Sequence, residues 1–81
     1  MINLEFETKL SEQEAMDRIK AFFGEGGLGL EMAEDSENCI SFEGGGGYVR
    51  ATICESEDKN KIELISQEWE QQVKKFASEL S

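Results

Sequence analysis

The sequence predicts an α+β fold, a two-layer sandwich in which five antiparallel strands carry two helices on one face. Three observations predict it. Five stretches alternate apolar and polar residues with the two-residue period of a half-buried strand. Two others repeat their apolar residues at three- and four-residue intervals, the pattern of a helix with one buried stripe. The order strand, helix, four strands, helix can cover every apolar face only if both helices lie on the same side of one sheet. The chain has 81 residues, about half an ordinary domain length, with no proline and no internal repeat, so residues 1–81 read as one domain. Leu, Ile, Val and Phe make up 19 of the 81 residues, above the roughly one-fifth below which charged chains stay disordered.

Taken in order, Ile2, Leu4 and Phe6 alternate with Asn3, Glu5 and Glu7, which makes the first strand. Ser11-Glu12-Gln13-Glu14 has the spacing of a capping box, with Leu10 and Ala15 placed as a hydrophobic staple around it. The helix that follows carries Ala15, Met16, Ile19, Phe22 and Phe23 as its stripe and stops at Gly24. Leu28, Leu30 and Met32 resume the two-residue period as a second strand. After the polar turn 34–38, Ile40 and Phe42 alternate with Cys39, Ser41 and Glu43 as a third. Val49, Ala51 and Ile53 alternate with Tyr48, Arg50, Thr52 and Cys54 as a fourth. A hairpin tip at Gly45-Gly46 sets Phe42 against Val49 and Ile40 against Ala51, so both strands turn their apolar residues to one side. Ile62 and Leu64 face inward on the fifth strand, Lys61 to Ile65. Ser66 then reads as the cap of a last helix whose stripe is Trp69, Val73, Phe76, Ala77 and Leu80; burial of Trp69 and Phe76 is expected.

This element order resembles the fold shared by each half of the TATA-box-binding protein and by the core of the helix-grip proteins, the lipid-transfer and pollen-allergen superfamily. The resemblance is one of architecture over the whole chain and implies the strand order 1-5-4-3-2. It carries no functional residues across, because no family motif is present. The TATA-binding sheet uses its open face for DNA, whereas here that face shows Glu5, Glu7, Glu31, Glu43 and Glu63 against Arg50 and Lys61. Helix-grip proteins hold apolar ligands in a cavity enlarged by further strands and helices that this chain does not have.

The net charge is −10, which repels phosphate backbones and anionic membranes, so neither nucleic acid nor membrane is an expected partner. No apolar run approaches the roughly 18 residues of a membrane-spanning helix, and acids stand where a signal peptide has basic residues. A cytoplasmic protein is expected. With no histidine, the Ser-His-Asp and Cys-His nucleophiles and most transition-metal sites are excluded; no enzyme, metal or cofactor is expected. Gly44 to Gly47 joins strand to strand rather than strand to helix and has no Lys-Ser/Thr after it, so it reads as a hairpin rather than a phosphate cradle. The acids Glu34, Asp35 and Glu37, and Glu55, Glu57 and Asp58, lack the spacing of a calcium loop. Cys39 and Cys54 read as reduced thiols. The register sets Cys39 opposite Thr52 and Cys54 on the diagonal, roughly 7 to 8 Å away, and no cationic neighbour clearly activates either as a nucleophile.

These exclusions leave the expectation of a small non-enzymatic interaction module, self-associating as a homodimer or binding a protein partner through its sheet face or an edge strand. Tyr48, Arg50 and Thr52, outward on a central strand, are its candidate surface, since Tyr and Arg are enriched at interfaces. One alternative is a minimal helix-grip carrier holding a small apolar ligand against Trp69 and Phe76. Another is an acidic mimic of nucleic acid that occupies a basic protein.

Overall fold

The computed structural model describes residues 1–55 and 58–80. The elements are β1 (Ile2–Thr8), α1 (Glu12–Phe23), β2 (Glu31–Asp35), β3 (Cys39–Gly44), β4 (Gly47–Glu55), β5 (Asn60–Gln67) and α2 (Glu70–Leu80). The strands form one antiparallel sheet in the order β1-β5-β4-β3-β2. Both helices cover its inner face and close a single core of α1 residues Ala15, Met16, Ile19 and Phe23, α2 residues Val73, Phe76 and Leu80, and the inward side chains of β3, β4 and β5. Helix meets helix through aromatic rings: Phe76 lies 5.1 Å from Phe22 and 5.3 Å from Phe23, centroid to centroid, within the range of favourable ring pairs. Phe23 in turn sits 6.0 Å from Phe42 on β3.

The β3–β4 hairpin has the expected register, Phe42 opposite Val49 and Ile40 opposite Ala51. Gly45 and Gly46 both take left-handed angles, φ 59° and 83°, as a two-residue turn matched to strand twist requires. At the start of α1, Ser11 Oγ accepts from the Glu14 amide at 3.2 Å. The Glu14 carboxylate returns to the Ser11 hydroxyl at 3.1 Å instead of to its backbone.

Three local expectations are corrected. Ser66 does not cap α2: β5 continues through it, and Ser66, fully buried, donates from Oγ to the Tyr48 carbonyl at 2.9 Å. The chain bends at Glu68, which takes φ 76°, and the Glu68 amide donates to the Glu70 carboxylate at 2.9 Å. The first helical bond of α2 runs from the Val73 amide to the Trp69 carbonyl. Trp69 is therefore half-buried at the helix boundary rather than inside the core, whereas Phe76 is buried at 2% exposure. The second strand also starts later than its periodicity predicts. Leu28 lies in the loop, 36% exposed, Leu30 is buried just ahead of β2, and Met32 on β2 is 42% exposed. Met32 pairs with the buried Phe42 on β3 but itself lies outside the core. No helix among the described residues is long and apolar enough to cross a membrane.

Candidate interaction surface

With both helices on the inner face, the outer face of the sheet has no second layer among the described residues. Its side chains follow from strand alternation. Pairing across the sheet builds three rows: Gln67, Tyr48, Glu43 and Glu31; Ile65, Arg50, Ser41 and Glu34; Glu63, Thr52 and Cys39. The three residues singled out from the sequence, Tyr48, Arg50 and Thr52, thus stand side by side at the centre of the face, where β4 has a neighbour on each side.

Arg50 is exposed and held from below. Its Nε donates to Cys39 Sγ at 3.4 Å, and Thr52 Oγ1 donates to the same sulfur at 3.8 Å. The contact with Cys39, with the charges of Glu34 and Glu63 contributing, holds the guanidinium still more firmly in its charged form than an arginine ordinarily is. Cys39 is buried although it lies on the outer face, because these two side chains close over it, while Cys54 is exposed. Arg50 is thus the cation beside Cys39, as Lys61 is the residue opposite Cys54. The signal for Arg50 was present in the register: a residue diagonal to Cys39 on the neighbouring strand lies within reach of a long side chain. Among the described residues Arg50 makes no ion pair, which leaves the outer N–H groups of its guanidinium fork to solvent.

Around Arg50 the face is concave. An open depression of about 360 Å³ is lined by Glu34, Ser41, Phe42, Glu43, Tyr48, Arg50 and Ile65. A second, of about 520 Å³, shares Glu43 and Tyr48 with it and runs to Glu31 and the glycine hairpin. Glu34, Ser41 and Ile65 were not placed on this surface from the sequence: Glu34 reads as part of the polar turn 34–38 but lies on β2, and nothing local marks Ser41 or Ile65 beyond strand alternation. Nearer the β1 edge, Lys61 pairs with Glu5, and the hydrogen bond and charge of that carboxylate raise the lysine above its ordinary 10.5.

The residues of the ligand-carrier alternative have other partners. Phe76 is packed against Phe22 and Phe23. Trp69 Nε1 donates to the Gly44 carbonyl at 2.9 Å, tying the start of α2 to the hairpin. Of the acids weighed as calcium ligands, Glu34 and Asp35 lie on β2 rather than in a turn, Asp35 pairs with Lys20 at 3.5 Å, and Glu57 lies outside the described residues. No group of three or more His, Cys, Asp or Glu among the described residues is arranged to hold a metal ion. Comparison with known protein families, curated proteins and solved structures finds no match to this chain.

Proposed function

We propose that this domain is a small non-enzymatic interaction module that receives a protein partner on the outer face of its sheet, around Tyr48, Arg50 and Thr52. The observation that supports this reading is Arg50, an exposed guanidinium without an ion pair among the described residues, steadied by the Cys39 sulfur and set in a concave face. A guanidinium presented in one orientation suits a carboxylate or a backbone carbonyl, which it can take with two parallel bonds. The acids around it, Glu31, Glu34 and Glu43, suit basic side chains flanking that group. The partner is thus a protein surface with a central acceptor and a basic rim.

The test compares immobilised parent protein with Arg50→Gln, which keeps the stem and removes the charge, and with Lys75→Glu on the helix side. A protein retained by the parent and by Lys75→Glu but released by Arg50→Gln, with unchanged melting temperatures, is the expected result. Identical retained sets for all three baits would overturn the proposal.

A further inference from the structure

The two edges of the sheet differ in how well they are protected. The β2 edge is five residues long, rich in acids, exposed throughout and broken in register between Met32 and Glu34, all features that discourage strand addition. The β1 edge shares only the acids, Glu5 and Glu7, on its outer face. It runs seven residues, pairs with β5 without a break, and holds Ile2, Leu4 and Phe6 only half-buried against the core. Its other side has no strand partner among the described residues.

We propose that β1 pairs antiparallel with β1 of a second copy of this chain, about a two-fold axis at Leu4. Registers that keep the apolar side chains on the core face are limited to alternate positions, because a one-residue slip turns every side chain over. Centring the pair on Glu5 sets that acid against its own counterpart. Centring it on Phe6 sets Glu5 against Glu7, and centring it on Asn3 pairs only three residues of each strand, Ile2 to Leu4. Centred on Leu4, the strand meets itself well: Leu4 faces Leu4, Ile2 faces Phe6 twice, and Asn3 faces Glu5 twice, with no acid opposite an acid. Lys61 already offsets the charge of Glu5 beside this edge.

A single strand pair covers less than the roughly 1,000 Å² of a stable interface, so the dimer is weak and reversible. Two bodies of charge −10 repel, so salt strengthens the association, opposite to the effect of salt on binding a basic partner.

Sedimentation equilibrium over a concentration series, at about 0.01 M and about 1 M NaCl, reads this directly. The expected result is a monomer–dimer equilibrium that tightens with salt. Asn3 is exposed, so changing it spares the fold. Asn3→Asp places two acid pairs across the interface and weakens the dimer roughly tenfold, and Asn3→Lys tightens it. Asn38→Asp, which adds the same charge in the β2–β3 turn, shows no comparable loss. A monomer under all conditions, or a dimer indifferent to the charge at position 3, would overturn the proposal. So would a dimer lost in Arg50→Gln and retained in Asn3→Asp, which would place the contact on the sheet face.

Discussion

At Gly47 the backbone of β4 passes so close to the end of β5 that a methyl group would meet the Gln67 carbonyl oxygen and the Glu68 side chain. Gly45 is constrained twice over, by its left-handed φ and by the Trp69 ring, whose Cζ2 would lie 2.8 Å from an added Cβ. Gly46, with φ 83°, has nothing within 4 Å. The hairpin glycines therefore serve different ends, and substitution separates them. Gly47→Ala is expected to cost about 1 to 3 kcal/mol, the usual penalty of overpacking, because the obstructing atom is backbone. Gly46→Asn, whose side chain tolerates left-handed angles, is expected to leave the denaturation midpoint nearly unchanged. Urea titrations of both variants check the contrast, and equal losses would mean that backbone conformation rather than close approach sets the requirement at both positions.

At the scale of elements, α2 shows how a correct assignment can rest partly on a wrong signal. Ser66 followed by acids has the local chemistry of a helix cap, but the same hydroxyl can bond a carbonyl on a neighbouring strand. Once β5 lies beside β4, the Tyr48 carbonyl is at hand. The stripe of α2 was the sounder signal, because it depends only on helical period: Val73, Phe76 and Leu80 are all buried. Phe76→Ala removes the ring that joins α2 to Phe22 and Phe23 of α1 and is expected to cost about 3 to 5 kcal/mol. A domain of this size has only about 5 kcal/mol in hand, so substantial unfolding should be visible by circular dichroism at room temperature. A midpoint equal to the parent's would mean that α2 does not hold the core together.

Over the whole molecule, 18 acidic side chains against eight basic ones set a repulsion that folding must overcome, since the compact state brings like charges together. Ion pairs such as Glu5–Lys61 and Lys20–Asp35 offset little of it, being solvent-exposed. Stability is therefore expected to rise by about 1 kcal/mol as NaCl goes from about 0.01 M to about 0.1 M, where the screening length falls from about 30 Å to about 10 Å. For a domain of this length that corresponds to roughly 4 to 8 °C in melting temperature. A thermal melt at dilute protein concentration checks it. A flat or falling melting temperature would show that attractive pairs outweigh the net repulsion.

The amino-acid sequence by itself determined the number and order of the elements, the β3–β4 register and the faces of β3, β4 and β5. Each of these follows from local periodicity, turn chemistry at Gly45 and Gly46, and the need to put apolar residues on one side. It also placed Tyr48, Arg50 and Thr52 together on the outer face, because alternate residues of one strand share a face wherever that strand lies. Only the tertiary structure decided where the core ends, and hence that Met32 stays in solvent while Leu30 is buried. Tertiary structure likewise turned Ser66 into a strand residue and brought the Arg50 guanidinium onto the Cys39 sulfur. These outcomes depend on neighbours distant in the chain. A hydroxyl, a thiol or an apolar side chain has several satisfactory local environments, and packing of the whole sheet selects among them.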